Sequence, residues 1–276
     1  MKYEMLCSDV DGTLLNSEGK ISEGNCAAVQ EALKKGKKIV LCSGRTWRSL
    51  KFYEETLGTH IAGQFGIGFN GGVVYEILPN GEVKLLHSHM MPHAISHEIF
   101  TVLPPIVAQY NEMTIVAYNN KGHLIVEKSL DGSGLFDEMR KLGAHTVPSY
   151  IAETGDMYKV LVHGKNEELQ QLAAFCKERF AGKCQTMFSA RTLLELTPMG
   201  VDKGQGVKFL AAHMGIPIEA VIAVGDEAND SAMLKAAGLG IAVANAVPCA
   251  VEAADIQIKQ SNNDSAVGAV IREYLL

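Results

Sequence analysis

Four short stretches concentrate the groups best able to do chemistry: "DVDGTL" (Asp9–Leu14), "SGR" (Ser43–Arg45), "DKG" (Asp202–Gly204) and "GDEAND" (Gly225–Asp230). In the last, Asp226, Glu227, Asn229 and Asp230 fall so close together that something cationic must sit among them. Asp9 and Asp11 are separated by one residue, which on a strand points both side chains the same way. Two like charges placed so close need a cation or a shared proton. Gly12 permits a sharp turn after them, and Thr13 can hydrogen-bond within it. The Ser43 hydroxyl and the Gly44 amide stand just before a helical pattern, where an anion is favoured. Lys203 brings a positive charge to the start of another helix. The chemistry implied is the joint holding of an anion and a cation.

The elements that must position these groups alternate. "YEMLCSDV", "KKIVLCSG" and "AVIAVG" are apolar strand candidates, and "SEGNCAAVQEALKKG", "TWRSLKFYEETLG" and "KGQGVKFLAAHMG" are helical patterns. Ser22 is the expected N-cap of the first helix and Gly36 its stop. Such alternation predicts an α/β fold, a parallel sheet covered on both faces. In such sheets ligands bind beyond the carboxyl ends of the strands. Asp–Gly and Ser–Gly pairs are ordinary turn formers when taken singly. "DxDGT" is more specific, arising by accident in roughly one chain of this length in a few hundred. The ordered set of four, each ending a strand or opening a helix, is not accidental.

Around residue 70 the pattern changes. "GGVVYEILPNGEVKLLHSH" and "TIVAYNNKGHLIVEK" read as strand–turn–strand units, interspersed with helices "PHAISHEIFTVL", "GLFDEMRKLG" and "NEELQQLAAFCKERF". The βα pattern resumes after about Leu193. Residues 1–83 and 192–276 are therefore expected to form one discontinuous core, with an α+β domain inserted at 84–191.

The four motifs, in this order and spacing, resemble the haloacid dehalogenase superfamily of phosphatases, in its Cof-type branch with a large α/β (type IIB) cap. The resemblance covers the whole chain. It implies a Rossmann-like core, a cap that closes over it and selects the leaving group, and Mg2+-dependent hydrolysis of phosphate monoesters through an aspartyl-phosphate. Asp9 would be the nucleophile, and the Asp11 side chain the general acid and base. Asp9, Asp226 and the Asp11 backbone carbonyl would hold Mg2+. Lys203, Ser43, Asn229 and the amides of Val10 and Gly44 would bind phosphate oxygens. Asp230 would orient Lys203 or a metal-bound water from behind. The substrate class implied is small phosphorylated metabolites: sugar phosphates, nucleotides or phosphorylated cofactors. Two other readings use the same motifs, a phosphomutase or phosphotransferase and a phospho-Asp signalling module. The signalling module needs neither an acid at Asp11 nor a large cap.

Composition sets bounds on partners. The formal charge of -6 argues against broad binding to nucleic acid or an anionic membrane. The longest apolar region, Ala236–Ala254, is broken by Gly, Asn, Pro and Glu, so no membrane span is expected. Six scattered cysteines with no CxxC pair fit a reduced, cytoplasmic setting. Several residues carry plainer readings: Glu227 as an exposed charge at a helix start, Asp202 as a cap, Arg45 as an ion-pair partner, Trp47 and Phe52 as packing. His87 and His89 alternate along a strand but lack a third ligand. "GIGFNG" (Gly66–Gly71) matches GxGxxG yet leads into a strand, where a dinucleotide site needs a helix.

Overall fold

Runs of consecutive apolar residues suit strands covered on both faces. Three such runs form the middle of the larger sheet: β1 (Met5–Ser8), β2 (Lys38–Cys42) and β12 (Val221–Gly225). In the computed structural model, which describes residues 3–127, 143–152 and 155–276, β1 lies between β2 and β12 and runs parallel to both. Five further strands extend this sheet: β3 (Phe65–Gly68), β4 (Val73–Ile77), β5 (Val83–Ser88), β13 (Leu239–Ala242) and β14 (Ile256–Gln257). The order is β14-β13-β12-β1-β2-β3-β4-β5, with β4 and β5 antiparallel at one edge.

The helices between these strands start and stop where their end residues dictate. α1 (Glu23–Lys34), α2 (Trp47–Leu57) and α5 (Lys203–Met214) begin at Ser22, Thr46 and Asp202. Each of these side chains accepts a hydrogen bond from the backbone N–H three residues on, satisfying a donor the helix leaves open. Left-handed Gly58 and Gly215 end α2 and α5. Two shorter helices, α6 (Ser231–Ala236) and α7 (Pro248–Ala253), join α5 on one sheet face. There Met5, Cys7, Val40, Val221 and Ala223 pack with Val207, Leu210, Met233 and Ala250. On the opposite face, the alternate strand residues Leu6, Ile39 and Leu41 are also buried. The last helix, α8 (Ala266–Val270), runs into a wider turn at Ile271–Leu275.

The second unit has its own sheet, ordered β10-β11-β9-β6-β7-β8. Its strands are β6 (Thr114–Asn119), β7 (Leu124–Glu127), β8 (His145–Val147), β9 (Met157–His163), β10 (Cys184–Ala190) and β11 (Leu193–Pro198). Helices α3 (His93–Val107) and α4 (Asn166–Arg179) contribute Ile99, Phe100, Leu103, Leu169 and Leu172 to one core with Ile115, Val160, Val162 and Leu194. The helix expected from "GLFDEMRKLG" lies, all but Gly143, outside the described residues.

The domain boundaries differ from those expected. The chain divides into Met1–Ser88 with Val201–Leu276, and His89–Gly200, where the sequence placed the breaks after residues 83 and 191. Strand β5 pairs with β4 and so belongs to the larger sheet. Strand β11 pairs with β9 and β10 and so belongs to the second. Pairing partners decide allegiance, and local pattern does not reveal them. No helix among the described residues is long and apolar enough to cross a membrane.

Candidate active site

The site forms at the carboxyl ends of β1, β2 and β12. Strand β1 stops at Ser8, so Asp9 and Asp11 lie in the following turn and do not share a strand face as expected. The Val10 carbonyl closes this turn by accepting from the amides of Leu14 (3.1 Å) and Leu15 (2.9 Å). Gly12 takes φ 82°, and a Cβ there would stand 2.3 Å from Asp226 Oδ2. Asp9 is buried, and its amide donates to the Val224 carbonyl at 2.9 Å. The Asp11 side chain turns outward, 56% exposed, onto Arg45. The guanidinium grips it at two points, Nε to Oδ2 and Nη2 to Oδ1, both 2.7 Å.

Lys203 opens α5 and is wholly buried. Its Nζ donates to Asp9 Oδ1 and to Asp230 Oδ1, each at 2.5 Å. Burial opposes the lysine charge, but Asp230 and Asp9 outweigh it and hold Lys203 above the ordinary lysine range. The other oxygen of Asp230 accepts from the amides of Asp226 and Glu227, both 2.9 Å. Asp230 is thus fully engaged in positioning the lysine and the acidic loop. Exposed Glu227 caps the short turn Ala228–Asp230 reciprocally with Asp230.

Asp226 Oδ1 accepts from Thr13 Oγ1 at 2.6 Å, tying the fourth motif to the first. One oxygen each from Asp9, Asp226 and Asp230 lie within 4.8 Å of one another. Burial, opposed by the Thr13 hydrogen bond and reinforced by Asp230 and Glu227, pushes Asp226 up to about 7. Burial, then the charge of Asp230, raises Asp9 well above the carboxylate range against the pull of Lys203. Three buried carboxylates facing one ammonium leave excess negative charge on hard oxygen donors. That donor set fits a small divalent cation such as Mg2+.

Ser43 follows β2 and is buried; its amide donates to Ile67 O (3.0 Å), and its Oγ accepts from the Arg45 amide (3.2 Å). Asn229 does not stand alone, because its Nδ2 donates to Asn70 Oδ1 at 3.1 Å. Asn70 belongs to "GIGFNG", which forms strand β3 and a tight turn into antiparallel β4, as the rejection of a dinucleotide site anticipated. In that turn Phe69, Asn70 and Gly71 all have positive φ (51°, 55° and 95°). Left-handed conformations cost non-glycine residues about 1–2 kcal/mol each.

Three asparagines that the sequence left unremarked hold the turn after Asp9 by its carbonyls. Asn245 Nδ2 donates to Gly12 O (2.8 Å), Asn25 Nδ2 to Leu14 O (3.1 Å) and Asn262 Nδ2 to Leu15 O (2.9 Å). Asn25 Oδ1 in turn accepts from the Gly268 amide, and Asn245 Oδ1 from that of Asn262. An isolated Asn in a loop gives no signal beyond turn formation. The plainer readings fare unevenly. Asp202 caps α5, and Trp47 packs edge-on to Phe69, but Phe52 is 68% exposed and not packed into the core. His87 lies against Phe209 and His89 falls beyond the end of β5. Among the described residues neither joins a cluster of three or more metal-ligating groups.

A family model for haloacid dehalogenase-like hydrolases matches residues 6–271. The chain belongs to this family. Among solved structures, a haloacid dehalogenase-like hydrolase from Bacteroides thetaiotaomicron is 28% identical, with a TM-score of 0.83, over 98% of this hydrolase and 99% of that chain. The 5-amino-6-(5-phospho-D-ribitylamino)uracil phosphatase YcsE of Bacillus subtilis is 29% identical across 99% of this hydrolase and 96% of its own length. The chloroplastic endoribonuclease YBEY of Arabidopsis thaliana is 28% identical over 99% of this hydrolase, which spans 47% of that longer protein. The family and the α/β fold are therefore those the four motifs implied.

Proposed function

We propose that this hydrolase is a Mg2+-dependent phosphatase that removes phosphate from small phosphorylated metabolites through a covalent intermediate on Asp9. The observation that carries the reading is the wholly buried Lys203 ammonium on Asp9 Oδ1, beside Asp226 and at the strand ends that hold Ser43. Asp9 and Asp226, joined by the Asp11 carbonyl, would hold Mg2+, with Asp230 remaining on Lys203. When bound, the ion neutralises the repulsion between an anionic nucleophile and an anionic phosphate.

The protein's own groups carry the steps. An Asp9 oxygen attacks phosphorus, and the bond to the leaving oxygen breaks as the Asp9–phosphate bond forms. Lys203, the Ser43 hydroxyl, the Asn229 side chain and the amides of Val10 and Gly44 bind the remaining phosphate oxygens. The Asp11 carboxylic acid protonates the leaving oxygen. As a carboxylate it then takes a proton from water, whose oxygen attacks phosphorus, breaks the bond to Asp9 and releases inorganic phosphate. Arg45 holds both Asp11 oxygens, so one of those two bonds opens before Asp11 can serve. The relative named as a phosphatase of a small phosphorylated compound supports the substrate class. Free cysteines, four of them buried, suit a reducing cytoplasm.

Phosphate release from a broad panel of phosphorylated metabolites, with Mg2+ and with chelator, tests the reading. We expect release with Mg2+ only, acid-stable label on the wild-type protein after quenching, and neither in Asp9→Asn. Full activity in chelator or in Asp9→Asn would overturn it. Transfer of phosphate to an added alcohol or sugar without release of free phosphate would make the same site a phosphotransferase.

A further inference from the structure

We infer that Asn70, in the turn of the rejected "GIGFNG" motif, is a positioning residue that sets the Asn229 amide and the Ser43–Gly44 loop for phosphate; this rests on the phosphatase reading above. The turn touches three of the four motif loops. Its backbone donates to the second motif, from Phe69 N to Arg45 O and from Asn70 N to Ser43 O, both 2.9 Å. A Cβ on Gly44 would stand 3.1 Å from Asn70 Oδ1 and 3.3 Å from Nδ2, so the amide plane lies directly on the anion loop. Gly71 packs on the start of α5, where a Cβ would meet the Asp202 carbonyl at 2.1 Å, one residue from Lys203. Asn70 Oδ1 then accepts from Asn229 Nδ2 of the fourth motif.

Two non-glycine residues in succession, Phe69 and Asn70, are held at positive φ in this turn. Positive φ at Asn70 and Gly71 also suits a tight β-hairpin turn; here that turn sets the Asn70 amide against both Gly44 and Asn229. Asn tolerates the left-handed region better than most residues and supplies the acceptor that Asn229 needs. With one Nδ2 hydrogen on Asn70, Asn229 keeps its second Nδ2 hydrogen for a phosphate oxygen. Strain at a buried position gathering three functional loops is the kind that a site retains for its geometry.

The test compares Asn70→Gly, Asn70→Ala, Asn70→Asp and Asn229→Ala with wild type, using p-nitrophenyl phosphate kinetics, thermal melting and the NMR resonance of the Asn229 side-chain amide. Gly keeps the left-handed backbone and removes only the amide, so we expect a kcat/KM loss of about 10- to 30-fold with melting nearly unchanged. Asn229→Ala should lose a similar factor. The double variant Asn70→Gly/Asn229→Ala should be little worse than either single change, because both break one bond. Asn70→Ala should melt lower than Asn70→Gly. Asn70→Asp should restore the Asn229 resonance yet raise KM by repelling the dianion. A kcat/KM for Asn70→Gly within threefold of wild type, or losses that multiply in the double variant, would overturn the inference. If wild type hydrolyses no monoester, the phosphatase reading falls. The Asn229 resonance still decides the positioning role, since an unchanged resonance in Asn70→Gly refutes it.

Discussion

Gly12 carries two constraints at once: a left-handed φ of 82° and a backbone pressed against Asp226. For Gly12→Ala we expect activity to fall at least 100-fold, and stability by about 1–2 kcal/mol for the backbone strain alone. Phosphate release and a urea melt check both. Asp226 gives a pH signature. Its folded value of about 7 exceeds the ordinary 3.8, so the metal-free native state keeps a proton the unfolded chain has lost. That stabilisation is complete below about pH 4 and disappears as pH rises through about 7. We expect the metal-free melting temperature to decrease from pH 5 to pH 8, and Mg2+ to raise it more at pH 8 than at pH 5. Equal gains at both values would contradict the assignment. At this scale the motifs made Asp9, Lys203 and Asp226 legible, because crowded charge is visible in one dimension. The outward turn of Asp11 was not legible, since it depends on where β1 ends.

Elements hold these residues through polar contacts that differ in purpose. Near the end of α2, Tyr75 Oη donates to buried Glu54 at 2.5 Å, and His60 Nδ1 meets the other Glu54 oxygen at 2.9 Å. His60 Nε2 faces the Gly81 carbonyl, which can only accept, so Nδ1 and Glu54 share one proton. Burial keeps Glu54 above its ordinary value, consistent with that sharing. Tyr75→Phe should cost about 1–2 kcal/mol. For a chain of this size that lowers melting by roughly 2–8 °C, with kcat unchanged. Asn25→Ala removes bonds to Leu14 O and from Gly268 N, so it should lower melting and kcat together. Calorimetry alongside kinetics separates the two behaviours. Caps such as Ser22 and Asp202 were readable because they precede an apolar period. Strand β10, "CQTMFSA", was not, because its polar residues mask the alternation.

The whole molecule combines a unit interrupted in sequence with one that is continuous. In the first, residues 5–8 pair with 221–224, so its central strands find each other only across the intervening unit. The second closes its own core from residues 91–196. Expressed alone, residues 89–200 should therefore melt cooperatively by circular dichroism, whereas residues 1–88 alone should show no cooperative transition. A cooperative melt of 1–88 would show that β12 is dispensable to the sheet. The asparagine ties add a consequence in time. Asn245, which holds the Gly12 carbonyl, follows it by 233 residues. At cellular rates of synthesis that gap is on the order of 10–50 s. Throughout it the Asn25 tie to Leu14 can exist, but the ties to Gly12 and Leu15 cannot. A nascent chain that stops short of Asn245 and Asn262 therefore carries Asp9 beside a turn held by one of its three asparagine ties. Under the proposed mechanism we expect hydrolysis only once synthesis has supplied the other two.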